Sequence, residues 1–261
     1  MRVAAAALLW LLAAPALADP AFTDGGPAEA AKIIDGETLA LADGRVLRLV
    51  GIDVPARGPL AAQAKSALAA LAAGQNLDLK FAGNPRDRHG RVLAQLYVGD
   101  VWVQGQLLKH GWARVAGTAD ERTGIPEMLA LERQARRRHR GLWAASDYAI
   151  VPTAAAARRA GSFALVSGAV AGVINNAGGI LLFFGADQHS GFVLTFAPDV
   201  VKLCRAAGLD PAALAGKTLL VRGYVDGTRR PTVAVTYPEQ IELLRQKKAA
   251  PKVSPEPQQS R

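Results

Sequence analysis

The sequence predicts a mostly β, α+β protein built from two strand-rich parts. Residues 33–56 hold two short runs of alternating apolar residues joined by Asp43-Gly44, which is a β-hairpin pattern because glycine accepts the positive φ of such turns. Residues 162–245 hold five short apolar runs with one helical pattern at residues 198–207. The remaining helical patterns are predicted at residues 59–73, 104–110 and 125–140.

The second strand-rich part predicts a small closed Greek-key barrel of the OB type. Barrels of this type commonly bind oligonucleotides or oligosaccharides. Other small barrels have the same number of strands, so the sequence leaves that alternative open. The basic residues on or near these strands are candidates for contact with a polyanion, although such residues are usually solvated; they are Lys217, Arg222, Arg229 and Arg230.

Residues 1–18 are predicted to form an export signal. Arg2 supplies a positive charge, residues 4–14 are apolar, and Ala16-Leu17-Ala18 is a small-x-small cleavage site. The apolar run is too short to span a bilayer, although a retained N-terminal anchor is the alternative. With cleavage after Ala18, we expect a periplasmic or secreted protein without a transmembrane segment.

Domain limits are predicted from changes in composition. A first domain is expected at residues 31–148 and a second at residues 162–245, joined by an Ala- and Arg-rich linker at residues 149–161. Residues 246–261 are rich in Lys, Pro, Gln and Ser. This tail has little apolar surface to bury, so we expect it to be disordered.

Charge and cysteine content narrow the possible functions. The chain has 31 Lys and Arg against 22 Asp and Glu, a formal net charge of +9. Such an excess favours nucleic acid, anionic lipid or acidic glycan as a partner, or simply keeps an exported protein soluble. Cys204 is the only cysteine, which excludes an intramolecular disulfide and a cysteine-based zinc site.

The hairpin gathers charged residues at one end of a sheet. It brings Glu37 at the end of one strand beside Arg48 and Asp53 at the end of the other. Two carboxylates and a guanidinium that converge in this way suit a metal ion together with a phosphate group.

Three ordered blocks resemble the signature blocks of the staphylococcal nuclease (thermonuclease) family. They are Ile34-Asp35-Gly36-Glu37-Thr38, residues 48–55 and Asp87-Arg88-His89-Gly90-Arg91. The resemblance covers roughly residues 31–144. It implies that this N-terminal part folds as an OB barrel with packed helices, and that it hydrolyses phosphodiester bonds of DNA and RNA with calcium. Residues 162–245 resemble the strand-rich extension of some exported bacterial members.

The resemblance also implies roles for individual residues. Glu37 and Asp53 would be calcium ligands together with the carbonyl of Val54, and calcium prefers such oxygen donors. Arg48 and Arg91 would grip the scissile phosphate, because guanidinium groups bind phosphate oxygens in pairs and stabilise the charge of the transition state. The third block supplies the predicted substrate-binding residues, which are Asp87 and His89.

The sequence departs from the family pattern at functional positions. Glu37 stands where the family usually has Asp, and Ala56 stands where it has the Glu that is the presumed general base. A general base is typically worth a factor of about 10²–10⁴ in rate, so we expect weakened hydrolysis. His89 is an alternative base, or a residue that stacks on a nucleotide. A tyrosine that the family uses for stacking is missing near Ala116-Gly117.

Three functional hypotheses follow from these residues. We favour an exported, calcium-dependent nuclease of low or altered activity. The second hypothesis is a non-catalytic protein that binds single-stranded DNA or RNA, and the third is an envelope glycan-binding module, because a fold does not fix a function. DNA against RNA, endo against exo cleavage, the ligand of the second domain and the oligomeric state stay open.

Overall fold

A computed structural model of the protein describes residues 22–185 and 191–244. The expected export signal and C-terminal tail lie outside the described residues. The helices are α1 (Gly58–Ala72), α2 (Val103–His110), α3 (Ile125–Arg137) and α4 (Pro198–Ala206). The strands are β1 (Thr23–Ile33), β2 (Thr38–Leu41), β3 (Val46–Leu49), β4 (Ile52–Asp53), β5 (Asn76–Phe81), β6 (Val92–Val98), β7 (Val101–Trp102), β8 (Arg114–Val115), β9 (Val151–Pro152), β10 (Ser162–Asn176), β11 (Gly179–Phe184), β12 (Val193–Phe196), β13 (Thr218–Val225), β14 (Thr232–Val235) and β15 (Ile241–Leu244).

The first sheet closes into a five-stranded barrel. Its strands follow the order β3-β2-β1-β5-β6, and a parallel pairing of β3 with β6 closes the ring. Helix α1 lies in the chain between β4 and β5. This is the OB-type barrel with packed helices that the sequence predicts. Strand β1 was not expected, and it begins at Thr23, before the predicted start of the first domain at residue 31.

The predicted hairpin of β2 and β3 supplies the barrel core. Its alternating leucines are completely or almost completely buried, and they are Leu39, Leu41, Leu47 and Leu49. Gly44 in the turn has φ +85°, as the hairpin prediction requires. Burying each such side chain contributes about 1.5–3 kcal/mol to folding, so the hairpin is anchored and the side chains at its end are held in place.

Five strands of the second sheet, numbered along the chain from β10 to β14, follow the same cyclic order as the five barrel strands of the first sheet. Its path is β14-β12-β11-β10-β13, with β12 and β14 parallel, and an isolated pair, Asp226 with Thr232, joins β14 back to β13. Helix α4 lies between β12 and β13. The predicted second strand-rich domain of OB-like topology is therefore present. Cys204 is fully buried in its core, as a small apolar residue would be.

The segment predicted as a linker, residues 149–161, packs onto the second sheet. Strand β9 pairs in parallel with β10, and a 3₁₀ helix follows at Thr153–Arg159. Ala155 and Ala156 in this helix are buried. The alanine-rich composition is thus used for close packing, while the domain limits themselves stay a prediction.

A buried ion pair joins helix α3 to the second sheet. Arg222 on β13 is 1% exposed and donates from Nη1 and Nη2 to the two carboxylate oxygens of Glu132, at 2.9 Å each. It also donates to Glu242 at 2.7 Å and to the carbonyl of Val115 at 3.1 Å. Burial opposes the charge of Arg222, but the two carboxylates raise its pKa overall. Arg222 is therefore neither solvated nor available to a polyanion.

Further polar contacts fix the two sheets relative to each other. Arg122 forms a two-pronged ion pair with Glu239, at 2.7 and 2.9 Å. The hydroxyl of Tyr237 accepts a hydrogen bond from the backbone of Gly117 at 3.1 Å. Across residues 22–185 and 191–244, none of the helices combines the length and hydrophobicity that crossing a membrane requires.

Candidate functional site

The loop between β1 and β2 holds the first candidate ligand. Gly36 allows this loop to approach helix α1, because a Cβ atom at residue 36 would lie 2.7 Å from the Cβ of Ala64. Asp35 accepts a hydrogen bond from the backbone of Glu37 at 2.8 Å. The loop is therefore held tightly, and it directs Glu37 toward the end of strand β3.

Glu37 and Arg48 form an ion pair across the hairpin. Thr38 lies opposite Arg48 in the register of β2 and β3, and Arg48 Nη1 is 2.5 Å from Glu37 Oε1. The other carboxylate oxygen of Glu37 is buried and has no hydrogen-bond partner among the described residues. Burial raises the pKa of Glu37 to about 7, against the opposing effect of Arg48, and Asp53 and Asp35 raise it further. The prediction that the hairpin brings Glu37 beside Arg48 is confirmed.

Asp53 is held by a partner that sequence reasoning missed. It lies on β4 opposite Arg114 on β8, and Arg114 Nε donates to Asp53 Oδ2 at 2.7 Å. Val54 follows directly, and its side chain is buried in the barrel core. This pairing fixes the position of Asp53 at the end of the short strand.

The third block forms a turn organised by Asp87. Its Oδ1 accepts hydrogen bonds from the backbones of His89 and Arg91 at 2.8 and 3.0 Å, and its Oδ2 accepts from Arg91 Nε at 2.7 Å. Partial desolvation raises the pKa of Asp87, but these hydrogen bonds lower it by more, so the pKa is lowered overall. His89 is exposed and accepts a hydrogen bond from Arg88 Nε at 3.1 Å. Asp87 thus positions Arg91.

The barrel places the two predicted phosphate-binding arginines on one face. Strands β3 and β6 are parallel with Arg48 opposite Leu93, and Arg91 precedes β6 two positions before Leu93. Because side chains alternate along a strand, Arg48 and Arg91 point to the same side. Each is about one-third exposed, at 31% and 33% of the side chain, so both remain accessible to a phosphate.

A further carboxylate, Glu121, lies at this face and was missed in the sequence. Burial raises the pKa of Glu121, with Asp120 and Asp87 adding to the rise while Thr118 and Arg48 oppose it. Arg48 and Asp87 both act on Glu121, so its loop converges with the hairpin and with the third block. The only sequence signal is a pair of acidic residues in a loop, Asp120-Glu121, which has no local pattern that indicates a site.

Comparison with known proteins supports what the geometry indicates. The family model described as staphylococcal nuclease homologue matches residues 46–145. Protein ParB of Escherichia coli is 31% identical over 169 residues, covering 58% of this chain and 88% of that protein. The chain belongs to the staphylococcal nuclease homologue family.

Other relatives carry nuclease names. The probable staphylococcal-like nuclease CAN1 of Oryza sativa subsp. japonica is 40% identical over 101 residues, which is 38% of this chain and 29% of that protein. An uncharacterized endonuclease of Escherichia coli is 29% identical over 120 residues, which is 44% of this chain and 76% of that protein. The matched region of this chain thus spans under a third of the rice nuclease. The names of these relatives support a nuclease-like function at the level of the family.

The structure shows what surrounds two of the three departures from the staphylococcal nuclease pattern. Ala56, at the position of the presumed base, is exposed at the end of the short loop before α1. A side chain at Gly117 would lie 2.8 Å from Ile125 and 3.5 Å from the ring of Tyr237. The second sheet therefore occupies the space beside the loop where a stacking tyrosine is absent.

Glu37 and Asp53 supply two carboxylates of the donor set that a cation would need. The buried, unpartnered oxygen of Glu37 lies within electrostatic reach of Asp53, and a cation between them would offset the cost of an unsatisfied buried carboxylate oxygen. Among the described residues, no three His, Cys, Asp or Glu side chains group closely enough to hold a metal ion by themselves. Backbone carbonyls or water would have to complete the coordination.

Proposed function

We propose that this protein is a calcium-dependent phosphodiesterase that hydrolyses DNA or RNA, with activity weakened by the loss of the usual base. The observation that carries the proposal is the buried, unpartnered oxygen of Glu37 on a hairpin that also presents Arg48. Glu37 and Asp53 would hold calcium together with the carbonyl of Val54. The bound ion would supply positive charge beside the phosphate.

Arg48 and Arg91 would bind the scissile phosphate. Each guanidinium is directed by a carboxylate on its own loop or hairpin, Glu37 for Arg48 and Asp87 for Arg91, while about a third of each side chain stays exposed. A phosphate oxygen that gains charge in the transition state would meet two positioned donors. His89 on the exposed turn would contact the nucleotide.

Activation of water needs a proton acceptor that Ala56 does not provide. On this proposal, Glu121 takes that role, because it is half-buried and close enough to Arg48 and Asp87 for their charges to influence its pKa. A carboxylate whose pKa is raised is a stronger proton acceptor than an ordinary one. His89 is a weaker candidate, since it is exposed and its Nε2 is already a hydrogen-bond acceptor for Arg88.

The expected substrate is a single-stranded nucleic acid outside the cytoplasm. The export signal expected at residues 1–18 would place the activity in the periplasm or the medium. A net charge of +9 would draw a polyanion toward the site.

The deciding experiment is cleavage of labelled single-stranded DNA and RNA with calcium or with a chelator. Arg48→Ala and Arg91→Ala should each lower the calcium-dependent rate by at least about 10²-fold. Arg45→Ala is the matched control, because Arg45 pairs with Asp43 in the hairpin turn away from the site. Cleavage that persists in chelator, or that ignores both arginine changes, contradicts the proposal.

A second candidate function is binding without hydrolysis. The specific observation is Ala56. With alanine at this position, the arginines Arg48 and Arg91 and the carboxylates Glu37 and Asp53 are present without the usual base. This alternative expects single-strand affinity that falls steeply with salt, since counterions are released on binding, and no calcium-dependent cleavage at any enzyme concentration.

A further inference from the structure

An aromatic pair ends the face of the second sheet that packs on the first domain. Leu165 on β10 and Leu220 on β13 are buried against Ala135 and Trp143. Farther along the same face, Phe163 lies directly opposite Tyr224. Tyr224 is 62% exposed, more than any other large hydrophobic side chain in the described part of the chain. Phe163 is partly buried and packs against this cluster, so the face changes from a packed interface to the open ring of Tyr224.

Arg114 connects Phe163 to Asp53, a predicted metal ligand. Arg114, which binds Asp53 at 2.7 Å, places its guanidinium carbon 4.5 Å from the ring centre of Phe163. Its Nη1 also donates to the carbonyl of Phe163 at 3.1 Å. The ring of Tyr148 lies 5.3 Å from the same guanidinium. Direct contacts therefore run from Asp53 through Arg114 to Phe163, and Tyr224 is the register partner of Phe163 on β13.

We propose that the exposed ring of Tyr224, held beside Phe163 on the neighbouring strand, is a stacking platform for a base of a single-stranded nucleic acid whose phosphate lies at Arg48 and Arg91. The proposal rests on the proposed function and adds a binding role for the second sheet. Aromatic rings bind unpaired bases without regard to sequence, because every base has a flat face to stack.

The surroundings favour a nucleic acid over a protein as the occupant. Tyr224 lies beside Phe163, and the guanidinium of Arg114 lies against the ring of Phe163. The chain carries an excess of positive charge, which complements a phosphate backbone. Duplex DNA would not bind in this way, since its bases are already stacked on each other.

The test measures affinity separately from cleavage. Fluorescence anisotropy of a labelled oligothymidylate, recorded in EDTA, gives the dissociation constant for the wild-type protein and for Tyr224→Ala. Because Tyr224 is mostly exposed, the substitution should leave folding intact, and thermal unfolding checks this. We expect Tyr224→Ala to weaken binding about tenfold. Tyr224→Trp should keep wild-type affinity or improve it.

Leu243→Ala is the matched control, because Leu243 is 57% exposed on β15 of the same sheet. It should change the dissociation constant by less than about twofold. Equal affinities of wild type and Tyr224→Ala would overturn the platform, as would tighter binding of duplex than of single strands. Self-association that depends on Tyr224, with oligonucleotide affinity unchanged, would assign the ring to a protein contact and overturn it too.

Failure of the platform and failure of the proposed function give different results. Calcium-dependent cleavage by a protein whose binding ignores Tyr224 removes the platform and keeps the nuclease. Binding that depends on Tyr224 in a protein that never cleaves supports the platform and removes hydrolysis.

Discussion

Arg222 and Glu132 form a bidentate ion pair whose members are 1% and 0% exposed, one on the second sheet and the other on helix α3. Glu132 also accepts a hydrogen bond from the backbone of Val115 at 2.6 Å. Val115 belongs to β8, whose other residue, Arg114, binds Asp53. The interface between the two sheets is therefore connected directly to the strand that positions the candidate site.

Breaking this pair should destabilise the whole protein. Arg222→Met leaves Glu132 buried without its main partner, which costs about 3–5 kcal/mol. Urea unfolding measures the loss. Arg205→Ala is the control, because Arg205 pairs with Asp210 at the surface and exposed pairs are worth about 1 kcal/mol or less. Equal effects of the two changes would mean that the buried pair does not hold the sheets together.

The carboxyl of Glu37 should make stability depend on pH in a chelator. The pKa of Glu37 is raised in the folded state. Its contribution to the free energy of unfolding is therefore fully present below its ordinary pKa of 4.5 and is lost as the pH rises to about 7. The loss amounts to about 3 kcal/mol at most. Glu37→Gln removes the titration, so the variant should gain stability relative to wild type between pH 4.5 and 7. A stability difference that stays constant across this range contradicts the burial of the charge.

The missing base should be replaceable at its usual position. Ala56 is exposed, so Ala56→Glu should fold normally and raise calcium-dependent cleavage by about 10²-fold or more. Single-turnover rates on labelled single-stranded DNA measure the gain. Ala56→Gln, which has the same size without the charge, is the control and should give no gain.

Glu121 should be required for cleavage only while residue 56 is alanine. Glu121→Gln should lower the rate by about 10²-fold and remove the acidic limb of the pH–rate profile. Adding Ala56→Glu to this variant should restore cleavage. If Glu121→Gln leaves the rate and profile unchanged, water activation does not use this residue.

Gly111 should tolerate no side chain. It ends helix α2 with φ +77°, and a Cβ atom there would lie 2.2 Å from the carbonyl oxygen of Arg140. Gly44→Ala, at φ +85° with no heavy atom nearby, should cost only the strain of a left-handed backbone, about 1–2 kcal/mol. Gly111→Ala should cost clearly more, because the backbones must move apart. Thermal or urea unfolding of both variants makes the comparison.

Local patterns were enough to predict most elements and the pairing of Glu37 with Arg48. The turn at Asp43-Gly44 and the alternating leucines around it determine the hairpin, because backbone preference and burial act over a few residues. The hairpin alone then places Glu37 beside Arg48, since Thr38 and Arg48 are paired neighbours. Strand β5 was predicted at its observed bounds.

Strand β1 was missed because its residues have little intrinsic preference for a strand. The segment contains Gly25, Gly26, Pro27 and Glu29, residue types that are depleted in strands. Its conformation depends on β2 and β5, which pair with its two sides and close the barrel.

The sequence by itself determined the two strand-rich parts, the family and the pairing of Glu37 with Arg48, because these depend on short-range periodicity and on motifs. Only the tertiary structure decided that Arg114 holds Asp53 across 61 residues and that Arg222 neutralises Glu132 across 90. It also left Tyr224 exposed beside Phe163, which Arg114 connects to Asp53. A charge is paired or solvated according to which element packs against it, and that packing is set by the whole fold.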